Sequence, residues 1–91
     1  MYKLKVPDQV AELVRTLHPD LKKKIRASMK TILAEPDSGK ALKEELAGLR
    51  SYRVSRFRII YRVTKEEIEI VAIGPRARIY EETYRRLRKE K

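Results

Sequence analysis

Residues 49–63 read Leu49-Arg50-Ser51-Tyr52-Arg53-Val54-Ser55-Arg56-Phe57-Arg58-Ile59-Ile60-Tyr61-Arg62-Val63, and the order of polar and apolar residues within them decides the fold. On an extended chain Tyr52 and Val54 share one face, with Arg53 and Ser55 on the other. Beyond Arg56 the parity reverses: Phe57, Ile59, Tyr61 and Val63 become the apolar set, opposite Arg58, Ile60 and Arg62. A one-residue slip turns every side chain to the other face, so the reversal predicts two strands joined by a tight turn or bulge at 55–56. Thr64-Lys65-Glu66-Glu67 predicts a second turn. Ile68, Ile70 and Ala72, alternating with Glu67, Glu69 and Val71, predict a third strand that Gly74-Pro75 ends.

Upstream, Tyr2, Leu4 and Val6 alternate with Lys3 and Lys5 and predict a short strand before Pro7. Val10, Leu13, Val14 and Leu17 recur at helical spacing, so 8–17 reads as an amphipathic helix with Asp8 in its first turn. His18-Pro19-Asp20 breaks it and opens a second helix striped by Leu21, Ile25, Met29, Ile32 and Leu33, which stops before Pro36-Asp37-Ser38-Gly39. Residues 40–48 read as a helical turn and loop, and 77–90 as a terminal helix carrying Ile79, Tyr80, Tyr84 and Leu87. The order β-α-α-β-β-β-α predicts one α+β domain over 1–91, with a four-stranded, mainly antiparallel sheet. An N-terminal helical hairpin covers the Tyr/Val/Ile face. The opposite face is expected to be partly open, displaying Arg53, Arg58 and Arg62, with Arg76 and Arg78 just past the last strand.

The composition fits that size and excludes several chemistries. Ninety-one residues, 42% of them apolar, suffice for one small core. No run of about 18 apolar residues is present, so no membrane span is expected, and the chain reads as cytoplasmic. Without Cys there is no disulfide, thiolate metal site or Cys nucleophile, and a single His excludes paired-imidazole catalysis. No motif for a metal or a cofactor is found. The net charge is +10, and it is unevenly spread: residues 1–48 carry 10 basic and 7 acidic side chains, residues 49–91 carry 13 and 6. Ten of the twelve Arg lie in the second part. Guanidinium forks match phosphate oxygens, so this asymmetry points to a polyanion such as RNA or DNA.

RNA cleavage by attack of a 2′-OH on the adjacent phosphate needs alignment, charge neutralisation and proton movement, none of which demands a metal. Arg58 and Arg76 are candidates to hold the phosphate from two sides, Arg53 adds a third contact, and Tyr80 is a candidate for base stacking or proton positioning. Arg56, Arg62, Arg78, Lys22, Lys23 and Lys24 extend the basic surface as candidate RNA-binding residues. His18 and Asp20 read as helix-junction residues, and Glu44 and Glu45 as solvated.

Three blocks carry a family resemblance: Leu46-Ala47-Gly48-Leu49-Arg50-Ser51-Tyr52-Arg53-Val54, Phe57-Arg58-Ile59-Ile60-Tyr61-Arg62-Val63 and Ile73-Gly74-Pro75-Arg76-Ala77-Arg78-Ile79-Tyr80. Together they resemble the RelE/ParE superfamily of toxins from toxin–antitoxin systems, over essentially the whole chain. The resemblance implies a microbial-ribonuclease-like fold and a ribosome-dependent endoribonuclease that cuts mRNA in the A site. It implies a cognate antitoxin that wraps the basic face, and it places Arg53 near the attacking 2′-OH, Arg58 and Arg76 on the scissile phosphate, and Tyr80 as the C-terminal tyrosine. Ser55 departs from the family's second basic residue, with Arg56 as its substitute, and Tyr84 competes with Tyr80. Two other functions stay open: a ParE-type inhibitor that binds DNA gyrase, and a basic RNA-binding module without activity.

Overall fold

The computed structural model describes residues 2–90. Its elements follow in the order β1 (Lys3–Lys5), α1 (Asp8–Thr16), α2 (Pro19–Ala34), β2 (Lys40–Ala41), β3 (Leu49–Val54), β4 (Phe57–Val63), β5 (Glu67–Pro75) and α3 (Ile79–Glu90). Single 3-10 turns lie at Pro36–Ser38 and Glu44–Leu46. The sheet has five strands, one more than expected, in the order β1-β5-β4-β3-β2. Strand β1 runs parallel to β5, and the other pairings are antiparallel. The additional strand is β2, two residues that pair with Ser51 and Arg50, too short to show a period in sequence.

The parity reversal at 55–56 is a two-residue turn: Val54 pairs with Phe57, Tyr52 with Ile59 and Arg50 with Tyr61. Of the two turn residues only Ser55 has positive φ (57°), the backbone region that turns of this length give to Gly. Facing the helices, Val54, Ile59, Tyr61, Ile68, Ile70 and Ile73 form the main core with Val10 and Val14 of α1 and Ile25, Met29 and Ile32 of α2. Leu13, expected in the α1 stripe, stays 38% exposed. His18 caps α2, its Nδ1 accepting the Asp20 N–H at 3.2 Å.

The far side of the sheet departs at one point from the expected alternation. Ile60 pairs with Ala72 but Tyr61 pairs with Ile70, so Val71 is the extra residue of a β-bulge. The bulge breaks the alternation, sending Ala72 to the far face and Ile73 to the helix face. There, Leu49, Ile60, Ala72 and Ile79 build a second core, with Leu42, Leu46, Tyr80 and Leu87 packed around it. The face expected to be partly open is half covered, by α3 and the loop before β3, and open at its other end. Close packing of α3 depends on Gly74, where a Cβ would sit 2.9 Å from Ile79 Cδ1. Arg86 donates to the Val71 carbonyl (2.9 Å), satisfying a backbone group at the bulge.

Among the described residues, Tyr61 carries the one strongly polar group inside the main core. Its hydroxyl donates to the Pro36 carbonyl (2.6 Å) and accepts the Gly39 N–H (2.9 Å), while Arg50 donates to the Gly39 carbonyl (2.8 Å). These bonds fix the loop between α2 and β2. Burial outweighs the neighbouring hydrogen bonds and holds the Tyr61 hydroxyl above its ordinary pKa near 10. Among the described residues, no helix is long and apolar enough to cross a membrane.

Candidate nucleic-acid interface

The uncovered end of the far face is where the arginines collect. Arg53 and Arg58 are direct cross-strand partners, and Arg58 pairs on its other side with Gly74 of β5. The chain leaves β5 through Pro75, and the Arg76 N–H donates to the Arg56 carbonyl (2.8 Å). That bond ties the end of β5 to the turn between β3 and β4, so arginines twenty residues apart in sequence face the same space. Arg53, Ser55, Arg56, Pro75, Arg76 and Ala77 line a cleft of about 520 Å³.

Arg58 is half-buried beside this cleft. Its Nη1 donates to Ser51 Oγ (3.3 Å), and its guanidinium lies 6.0 Å from the centroid of the Tyr80 ring. Tyr80 Oη is 3.0 Å from the same Ser51 oxygen. Arg58 Nε is buried and has no hydrogen-bond partner among the described residues. Tyr80 reaches the sheet because it stands in the first turn of α3, directly after Ile79 seats on Gly74.

The charge at this end is uncompensated. Arg50, Arg62 and Arg85 form ion pairs with Asp37, Glu69 and Glu81, whereas among the described residues Arg53, Arg56, Arg58 and Arg76 form none. Like charges held on adjacent strands cost stability, and an anionic ligand removes that cost. The cluster can neutralise a phosphodiester from several directions.

The sequence candidates divide accordingly. Arg53, Arg58, Arg76 and Tyr80 come together with Arg56. A second groove of about 250 Å³, lined by His18, Asp20, Leu21, Lys24, Ser55, Arg56 and Phe57, continues the basic surface from Arg56 to Lys24. Lys22 is half-buried and Lys23 exposed, and neither lines either groove. Arg78 is exposed in the turn before α3, outside the cleft lining. Arg62 does not belong to the cluster: four residues along β4 place it about 13 Å from Arg58, and it binds Glu69 at 2.6 Å. Tyr84 lies one helical turn beyond Tyr80 with Arg88 5.7 Å from its ring, so Tyr80 is the tyrosine that joins the arginines. The residue missed in sequence is Ser51, 2% exposed, a small polar side chain in the row between Leu49 and Arg53.

The chain matches the family described as ParE toxin of the type II toxin–antitoxin system parDE over residues 2–80. No curated protein matches the sequence. Among solved structures, the RelBE2 toxin–antitoxin complex of Mycobacterium tuberculosis superposes with a TM-score of 0.74 at 24% identity, covering 82% of this chain and 98% of that one. An arginine-to-alanine double mutant of E. coli RelE in the free state gives 0.74 at 17% identity, covering 98% and 96%. The archaeal RelE–RelB complex of Pyrococcus horikoshii gives 0.70 at 25% identity, covering 85% and 97%. Family match and superposition agree, and the chain belongs to the RelE/ParE superfamily as a toxin of the type II toxin–antitoxin class.

Proposed function

We propose that this toxin is a ribosome-dependent endoribonuclease that cleaves mRNA. The observation that carries the reading is the convergence of Arg53, Arg58 and Arg76 with Tyr80 at one end of the sheet, with no acidic partner among the described residues. In the reaction the 2′-oxygen attacks the adjacent phosphorus as the P–O5′ bond breaks, giving a cyclic phosphate and a 5′-hydroxyl. Negative charge grows on the phosphate oxygens, and preorganised guanidinium groups stabilise it without reorganising. Arg58 and Arg76 take the two sides of the phosphate, Arg53 the side of the attacking 2′-OH, and Arg56 and Lys24 the flanking backbone. Among the described residues, no carboxylate or imidazole lines the main cleft. Alignment of the attack is therefore assigned largely to the ribosome, which holds the mRNA in place.

A cognate antitoxin is the expected protein partner, since several structural relatives were solved as toxin–antitoxin complexes. An acidic amphipathic segment laid over the cluster would supply the counter-charge that the four arginines lack.

The matching family profile is that of ParE toxins, which favours a second reading, inhibition of DNA gyrase by binding. Primer extension on a translated mRNA separates the two. Discrete cuts that require ribosomes support the nuclease. Intact mRNA at toxic doses, with loss of supercoiling in a gyrase assay, refutes it in favour of the binder.

A further inference from the structure

Arg58 and Tyr80 meet at a side chain that carries no charge. Ser51 Oγ lies 3.3 Å from Arg58 Nη1 and 3.0 Å from Tyr80 Oη, and the residue is 2% exposed. It sits between Lys40 of β2 and Ile60 of β4, in a cross-strand row that ends at Ala72. A hydroxyl has one proton and two acceptor positions, whereas a guanidinium only donates. Arg58 therefore takes one acceptor position of Ser51.

The direction of the remaining bond follows from what is left over. If Tyr80 donated, both acceptor positions of Ser51 would be taken and its proton would have no acceptor among the described residues. An orphaned buried hydroxyl is costly. If Ser51 donates, its proton is used along with one of its two acceptor positions. The Tyr80 proton is then free, and Tyr80 is half-buried, so that proton has a solvent side to turn to. The chain runs Arg58 to Ser51 to Tyr80, each bond polarising the next.

We propose that Ser51 is a positioning residue for RNA cleavage, turning Tyr80 into a hydrogen-bond donor toward the scissile phosphodiester while holding the Arg58 guanidinium against the Tyr80 ring. The inference rests on the nuclease reading above. It separates from it experimentally because Ser51, 2% exposed, offers a substrate almost no surface to touch.

The test is a double-mutant cycle on cleavage of a defined mRNA bound to purified ribosomes, read as the saturating single-turnover rate and the half-saturating toxin concentration. Ser51→Ala and Tyr80→Phe are each expected to slow the saturating rate about tenfold, the effect of one hydrogen bond. The half-saturating concentration should stay unchanged, and the double variant should be no slower than either single one. Ser51→Thr against Ser51→Val is the second pair, equal in shape and differing in the hydroxyl; only Thr should retain the rate. Multiplying losses in the cycle, or equal rates for Thr and Val, would overturn the inference while leaving the nuclease intact. A wild-type protein that cuts no ribosome-bound mRNA would overturn the nuclease reading itself, and this inference with it.

Discussion

Replacing Tyr61 by Phe removes a single oxygen atom, and its cost can be worked from the geometry. The ring remains and the core volume hardly changes. What disappears is the donor to the Pro36 carbonyl at 2.6 Å and the acceptor of the Gly39 N–H at 2.9 Å. Gly39 is buried and cannot recruit water in place of the hydroxyl, whereas Pro36 is half-buried and partly can. Each buried group left unpaired costs about 1–3 kcal/mol, so Tyr61→Phe should lose about 2–4 kcal/mol. With a urea slope of about 2 kcal/mol per molar, the unfolding midpoint should fall by about 1–2 M, followed by circular dichroism.

The same hydroxyl gives a pH signature with a definite sign. Its folded-state pKa is raised above the ordinary value near 10, chiefly by burial. Below pH 10 both states keep the proton and its contribution is complete. As pH rises past 10 the unfolded chain releases the proton while the folded chain retains it, so stability declines. The difference between wild type and Tyr61→Phe should therefore narrow above pH 10. A midpoint within 0.3 M of wild type at pH 7, or a gap that widens in alkali, would refute the assignment of Tyr61 as the pin of this loop.

Other substitutions test neighbouring parts of the account. Gly39→Ala would place a Cβ 2.5 Å from the Tyr61 hydroxyl, and urea unfolding should show a loss of about 1–3 kcal/mol. Ser55 has a φ of 57°, so Ser55→Gly should stabilise by about 1 kcal/mol and Ser55→Val should destabilise, both read by thermal melting. Arg53→Gln removes one of two like charges on paired strands and should stabilise the free toxin by about 0.5 kcal/mol at low ionic strength, a gain that fades toward 1 M salt. The same variant should cleave more slowly, opposing stability to activity at one residue.

The strands on either side of Ser55-Arg56 were legible because a period of two leaves an unmistakable mark when a two-residue turn inverts it. The bulge at Val71 left none: Val71, Ala72 and Ile73 are all apolar, so nothing in their order shows which one is unpaired. Alternation alone therefore groups Ala72 with Ile68 and Ile70. It belongs instead to the core under α3. Arg62 had the right parity for the cluster, and only the strand register reveals Glu69 as its partner. Arg58 and Arg53 could be placed side by side from alternation alone. Arg76 and Tyr80 could not, because their approach depends on the Arg76–Arg56 backbone bond and on the seating of Ile79 against Gly74. The family resemblance supplied what periodicity lacked. Ser51 escaped both, since a serine in a strand carries no signal of its own until a tyrosine arrives from 29 residues away.

The central claim is that the uncompensated arginines cut RNA rather than only bind a partner. Its most direct test is cleavage of a defined mRNA on purified ribosomes by the wild type and by Arg58→Ala/Arg76→Ala, with the product termini identified by mass spectrometry. Cuts ending in a cyclic phosphate and a 5′-hydroxyl are expected, dependent on ribosomes and absent in the double variant. Cleavage undiminished in the double variant, or no cleavage by the wild type, would contradict it.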